Sequence, residues 1–179
     1  MAPDHRQSDY SACIGKGMVY AAWILTLGLL TLFFHQREDD VHNPNRAYQT
    51  RTGEDGTREI TLQRNRFGHY LAIGYINDKP VTFLLDTGAT TISIPAGIAR
   101  SLGLKPQGQY PVSTANGTVT VYGTSLDQIK LGAIVVRHVR ANINPHMDGN
   151  EVLLGMSVLK DLEIIQRGDK LTLRQVSGE

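Results

Sequence analysis

The residues of this 179-residue chain best suited to chemistry are Asp86-Thr87-Gly88, in the run Phe83-Leu84-Leu85-Asp86-Thr87-Gly88-Ala89-Thr90-Thr91. A carboxyl group takes or gives a proton according to its state, and needs neither metal nor thiol to do so. The same tripeptide also reads as a strand closing in an Asx turn, with Asp86 bonding nearby backbone N–H groups. Three neighbours argue for more than a turn. The residues before Asp86 are continuously apolar, so a charge emerges from a buried strand, which is costly without a reason. Thr87 and Thr90 bring hydroxyls able to orient the carboxylate. Downstream, Val152-Leu153-Leu154-Gly155 is a second apolar run ending in glycine.

Other candidate chemistry is thinner. Six histidines (His5, His35, His42, His69, His138, His146) are scattered without an H-x-x-x-H pair, and no G-x-S-x-G is present. The one cysteine, Cys13, excludes an intrachain disulfide framework and a multi-cysteine zinc site. No metal and no cofactor are expected. Asp127, in Leu126-Asp127-Gln128-Ile129-Lys130-Leu131-Gly132, points to solvent by alternation and is a surface residue. Lys and Arg number 18 against 17 Asp and Glu, a net charge of +1. That balance lacks the basic surplus of a phosphate-neutralising protein, so nucleic acid is not an expected partner.

The elements that must position Asp86 are mostly strands. From Arg58 onward, short runs rich in Val, Ile, Leu, Tyr and Thr recur every 8–12 residues or so with glycine or Asn-Asp breaks, the pattern of an all-β sandwich or barrel. The runs are EITLQR, HYLAIGYI, PVTFLLD, TISIP, TVTVYGT, LDQIKLG, IVVRHVRANI, EVLLG, LEIIQRG and KLTLRQV. Hairpin turns are expected at Ile76-Asn77-Asp78-Lys79-Pro80 and at Ala115-Asn116-Gly117-Thr118. Ala96 to Leu102, with Gly103 as C-cap, and Met156 to Leu162 read as helical.

The N-terminal part is of another kind. After a short tail (1–17), Met18 to Phe34 carries no charge over seventeen residues, just long enough to cross a bilayer core as a helix. Lys16 and Arg37 bracket it, and Tyr20 and Trp23 lie near one end, where interfacial aromatics belong. No small-x-small site follows, so an uncleaved signal anchor is expected and not a cleaved leader. Cys13 precedes the run, which removes the lipoprotein reading. Flanking charge does not orient the segment: Arg6 and Lys16 stand on one side, and Arg37, Arg46 and Arg51 on the other. Residues 35–57 are polar, carry Asn43-Pro44-Asn45, and read as a spacer to a domain over 58–179.

From about Glu59 to Leu173 the chain resembles the retropepsin-like aspartic proteases, in particular the membrane-anchored, single-lobe bacterial type. The resemblance rests on Leu84-Leu85-Asp86-Thr87-Gly88-Ala89 as the catalytic turn and on Leu153-Leu154-Gly155-Met156-Ser157 as the strand-Gly-helix element beside it. A glycine-bearing hairpin at Thr114-Ala115-Asn116-Gly117-Thr118 matches the flap, and Asn65-Arg66-Phe67-Gly68-His69-Tyr70 and Gly103-Leu104 also look like the bacterial group. It implies an all-β fold, a single-lobe acid-protease β-barrel with one short helix, here preceded by one transmembrane helix. It implies Asp86, Thr87 and Gly88 as catalytic residues and Ala89, Thr114, Ala115, Asn116 and Gly117 as substrate contacts. Leu154 and Gly155 would support the site. A bacterial inner-membrane protein with its protease domain in the periplasm is the matching location.

In such an enzyme two carboxylates activate one water, and two carboxylates about 3 Å apart cannot both ionise. No second Asp-Thr/Ser-Gly exists here: Glu54-Asp55-Gly56 and Met147-Asp148-Gly149 lack the hydroxyl. The domain is about half of a two-lobed enzyme, so the active site is expected at the two-fold axis of a homodimer acting on a peptide or protein substrate. By resemblance, Thr87 would bond across that axis. The alternative reading is a non-proteolytic module of the same fold that binds a peptide or protein partner at the membrane.

Overall fold

The computed structural model describes residues 17–33, 42–114 and 117–176. The chain divides between Val41 and His42 into two units. In the first, residues 17–33 form helix α1, exposed along its whole length and on every face. Trp23, Leu25 and Phe33 are each more than half exposed. No helix among the described residues is long and apolar enough to cross a membrane. Cys13 lies outside the described residues.

The second unit is built from strands β1 (Gln49–Thr52), β2 (Arg58–Gln63), β3 (Tyr70–Ile76), β4 (Lys79–Leu85), β5 (Ile92–Pro95), β6 (Gln107–Thr114), β7 (Gly117–Leu131), β8 (Ile134–Asn144), β9 (Glu151–Leu154), β10 (Glu163–Arg167) and β11 (Lys170–Gln175). Two short helices, α2 (Ala96–Leu102) and α3 (Met156–Leu159), interrupt them. One sheet has the order β1-β2-β11-β10, and the other β3-β4-β9-β5-β8-β7-β6. Most pairs are antiparallel, but β4 with β9 and β5 with β8 run parallel. The larger sheet curls on itself, because β3 at its edge also pairs with β7 through Tyr75↔Lys130 and Ile76↔Ile129. The result is the closed all-β lobe that the strand spacing implied.

One core serves both sheets. Phe83, Ile92, Ile94, Val152 and Leu154 of the larger sheet cluster with Ile60, Leu62, Leu171 and Leu173 of the smaller one. Each is buried because period-2 alternation puts it on the inner face. The β3–β4 hairpin turns through Asn77 and Asp78, both at positive φ (47° and 65°), as a two-residue primed turn requires. Gly103 ends α2 at φ 75°, and the Lys79 ammonium donates to the Ser101 and Leu102 carbonyls at 3.1 and 3.0 Å, satisfying groups the helix end leaves open.

Two sequence expectations need correcting. The spacer does not run to Thr57: the domain begins at His42, and β1 pairs along β2 from Gln49↔Thr61 to Thr52↔Arg58. Polarity concealed this, since β1 is exposed throughout and is held by its ladder, not by burial. Asn43 and Asn45 are 7% and 3% exposed, and Asn45 imitates a strand partner. Its amide donates to the Gln63 and Leu71 carbonyls, both at 2.8 Å, and its oxygen accepts from the Gln63 N–H at 2.6 Å. The second correction concerns the strands around the flap. Gln107 to Thr114 is a strand despite its Gly and Pro, and residues 117–131 form one continuous strand rather than two. Gly123 is not a break. A Cβ there would lie 2.8 Å from the Gln107 carbonyl oxygen, where β6 and β7 shift register, so glycine permits the close approach.

Asn45→Ala removes the partner of three backbone groups at once, one buried and two part-buried. It is expected to lower the stability of the full chain by about 2–4 kcal/mol, at roughly 1–3 kcal/mol for each group left unpaired and with partial relaxation. Urea unfolding followed by circular dichroism measures this, with an exposed-face control such as Thr50→Ala near zero.

Candidate active site

The site is laid out by where β4 stops. Its last residues run parallel to β9, with Leu84↔Leu153 and Leu85↔Leu154 in register, and the ladder ends as the Asp86 N–H donates to the Leu154 carbonyl at 3.1 Å. The chain then turns. Ala89 N–H donates back to the Asp86 carbonyl at 3.2 Å, and Gly88 N–H donates to Asp86 Oδ1 at 2.9 Å. The Asx turn is therefore real, and it holds one oxygen of the carboxylate while the other has no partner among the described residues. Neither threonine hydroxyl performs the orientation the sequence suggested. Thr87 and Thr90 are exposed, and the Gly88 backbone fixes the carboxylate.

The far side of the loop is pinned by α3. Met156 N–H donates to the Ala89 carbonyl at 2.8 Å and Ser157 N–H to the Thr90 carbonyl at 2.9 Å. These are first-turn N–H groups that a helix cannot satisfy internally, and the loop's carbonyls fill that need. The approach is so close that a Cβ on Gly155 would lie 2.5 Å from the Thr91 oxygen and 2.6 Å from that of Ala89. Leu154 and Gly155 are both buried beneath the loop.

Asp86 is half-buried at the mouth of a cleft of about 450 Å³. Of the residues expected from sequence, Asp86, Gly88, Ala89 and Thr114 line it, and Thr87 sits exposed on the rim. The hairpin of β6 and β7 forms the opposite wall. Its ends meet as Thr114↔Gly117, the Thr114 hydroxyl donates to the Gly117 carbonyl at 2.8 Å, and Gly117 has φ 112°. Ala115 and Asn116, at the tip, lie outside the described residues.

Sequence reasoning missed the cleft's floor. Thr91, Ser93, Asn142 and Asn144 line it together with Val112, Val121 and Leu153. Asn142 is only 2% exposed and bridges two strands: Ser93 Oγ donates to its Oδ1 at 2.8 Å, and its Nδ2 donates to Thr91 Oγ1 at 2.8 Å. The available signal was alternation, because Thr91 and Ser93 flank the fully buried Ile92 and so must share the opposite face. Asp127 is exposed and remote in role, its N–H accepted by the Asn77 side chain of the β3–β4 turn at 2.9 Å. Among the described residues no group of three or more His, Cys, Asp or Glu is placed to hold a metal ion.

Residues 72–161 match the family model described as "gag-polyprotein putative aspartyl protease". The chain belongs to that family. The matched stretch contains Asp86, the β6–β7 hairpin and Gly155 beneath the Asp86 loop. A crystal structure of a retropepsin-like aspartic protease from Rickettsia conorii is similar in fold, with a TM-score of 0.54 at 25% identity over 72% of this chain and 94% of that one. EIAV protease complexed with the inhibitor HBY-793 is also 25% identical, over 54% of this chain and 90% of that one, with a TM-score of 0.45. A Sinorhizobium sp relative, "Uncharacterized protein in cobV 5'region", is 34% identical over 127 residues, 69% of this chain. This chain spans 54% of that relative's length.

Gly155→Ala places a methyl group against two backbone oxygens that cannot rotate away. It is expected to lower stability by about 1–3 kcal/mol, the usual cost of overpacking. The same change at the exposed Gly97, where a Cβ meets nothing within 4 Å, should be neutral or slightly stabilising. Thermal unfolding of the two variants side by side measures the difference.

Proposed function

We propose that this chain is a membrane-anchored aspartic endopeptidase that acts as a homodimer. The observation that carries the reading is the state of Asp86. Its carboxylate is held by backbone alone at the mouth of a cleft of about 450 Å³, with one oxygen fixed by Gly88 and the other without a partner among the described residues. A single lobe supplies one such carboxylate. A two-fold axis passing beside the loop brings the partner's Asp86 against it, with Thr87 at the rim available to bond across.

The chemistry then needs no further group. The pair holds one proton, because two carboxylates in contact cannot both ionise. The ionised carboxylate takes a proton from the water as its oxygen attacks the scissile carbonyl carbon. The protonated one gives its proton to the carbonyl oxygen, forming a neutral gem-diol. Collapse of that intermediate breaks the C–N bond. The leaving nitrogen takes up a proton from the carboxyl that accepted it from water, and the gem-diol returns its proton to the other carboxylate. The peptide lies extended between the loop and the β6–β7 hairpin, where an edge strand offers backbone hydrogen bonds. Tethering is supported by the uncharged run 18–34 and by the apolar side chains α1 exposes on every face, which lipid would cover. A tethered protease meets substrates near the same membrane at raised local concentration, and two tethered copies meet each other more readily. We place the domain on the periplasmic side of a bacterial inner membrane.

Asp86→Asn is expected to reduce peptide cleavage at least about 10³-fold, within the range for loss of a general acid–base group, while leaving thermal unfolding nearly unchanged. Co-expression of equal amounts of wild-type and Asp86→Asn chains tests the shared site. Random pairing leaves about a quarter of the dimers with two aspartates, so activity per chain falls to about a quarter. A site complete within one chain would keep half. For the anchor, the full chain should remain in the membrane fraction through alkaline carbonate washing, and a chain lacking residues 1–34 should be released.

A further inference from the structure

The floor of the cleft beside Asp86 has a hydrogen-bond polarity that an apolar subsite would not need. Ser93, Asn142 and Thr91 form one chain of donors: the Ser93 hydroxyl gives its proton to the Asn142 oxygen, and the Asn142 amide gives one to the Thr91 oxygen, both at 2.8 Å. Asn142 is 2% exposed and spends its oxygen and one amide proton on this pair. What remains facing the cleft is the Thr91 hydroxyl proton, with no acceptor among the described residues, and the free lone pairs of Ser93. Turning the Asn142 amide over exchanges the two roles and still leaves one hydroxyl donor and one hydroxyl acceptor. The register Ser93↔Asn142 in the parallel β5–β8 pair fixes the spacing of all three.

We infer that this floor recognises a side-chain carboxamide, so that the peptide carries Gln or Asn at one fixed position from the cleaved bond. The inference rests on the endopeptidase reading. A carboxamide offers an acceptor and a donor on two separate atoms of one planar group: its oxygen accepts from Thr91 and its NH2 donates to Ser93. Val112, Val121 and Leu153 form apolar walls against which the methylenes of Gln pack. Water satisfies the Thr91 proton and the remaining Ser93 lone pairs while the cleft is open, and an aliphatic side chain that displaces it leaves these without a partner. A carboxylate meets Asp86, the one charged residue of the described lining, with no cation to offset it.

The test uses the full-length chain in detergent on a proteome-derived peptide library, with cleavage sites read by mass spectrometry. The expected profile has Gln and Asn enriched over Leu and Val at one position. A matched pair of peptides differing only by Gln or Leu there should then differ about tenfold or more in kcat/KM, the effect of leaving one buried group unpaired. Thr91→Val and Ser93→Ala should each move that ratio toward one or below, and Thr91→Ser, which keeps the hydroxyl, should preserve it. An aliphatic preference at every position, or a ratio unmoved in both Thr91→Val and Ser93→Ala, overturns the carboxamide assignment while leaving the protease reading intact. No cleavage of any peptide by the wild-type chain overturns the protease reading and this inference with it.

Discussion

The arrangement of the cleft depends on one crossing of the backbone, where the turn after β4 lies across Gly155. Two apolar strands run parallel up to that point, and the Asp86 N–H closes their ladder on the Leu154 carbonyl. From there the loop is held on both sides by main-chain groups alone: the Gly88 N–H on the Asp86 side chain, and the Met156 and Ser157 N–H groups on the loop's own carbonyls. Main-chain hydrogen bonds fix position without consuming a side chain, which leaves the carboxylate free to react. The absence of a side chain at Gly155 sets the depth of the crossing, because any Cβ would lift the loop off α3. The rest of the lobe can be read as what keeps those two strands parallel and buried. A parallel pair needs cover on its faces, and the inner residues of the smaller sheet pack against one of them while β3 and β5 flank the pair within the sheet.

Closure of the larger sheet has a second consequence. Because β3 pairs with both β4 and the far end of β7, the strand that begins at the β6–β7 hairpin ends against the neighbour of the strand that leads into the Asp86 turn. One 15-residue strand thus spans from the hairpin wall of the cleft to the back of the core. Its inner residues pass from Val121, which faces the cleft, to Leu126, Ile129 and Leu131, all 1% exposed. The base of the hairpin is thereby anchored in the core.

Much of this was legible in the sequence, and what was not shares a physical cause. Strands such as residues 80–85 and 151–154 announce themselves because burial selects their side chains. The Asp-Thr-Gly turn and the second apolar run ending in Gly155 pointed to the cleft that Asp86 lines, because both must be built from particular residue types. By contrast, β1 and β6 are held by ladder hydrogen bonds and are almost wholly exposed, so their side chains carry no pattern. Asn45 was read as part of a turn signal, whereas its work is to pair with the backbone at Gln63 and Leu71, contacts across 18 and 26 residues that no local window contains. Asn142 was hidden for the same reason, its partners lying 49 and 51 residues away. Thr87 and Thr90 show the converse error, since proximity in sequence suggested hydrogen bonds that a backbone N–H makes instead.

The lobe is also informative in what each copy would bring to the proposed dimer. It provides its own floor, through Thr91, Ser93 and Asn142, and its own opposite wall, through β6 and β7. It holds one oxygen of Asp86 and presents Thr87 unsheltered at the rim. A two-fold operator supplies a second carboxylate and a second rim hydroxyl from the same residues, with no additional sequence. Every change in the loop is then made twice at one site. If the two copies contribute independently, an energy lost in one loop is lost again in the other, so a change that multiplies the rate by a factor f per loop multiplies it by f² in the homodimer. A heterodimer with one altered loop separates these contributions, and its departure from f measures how strongly the two loops act as a unit.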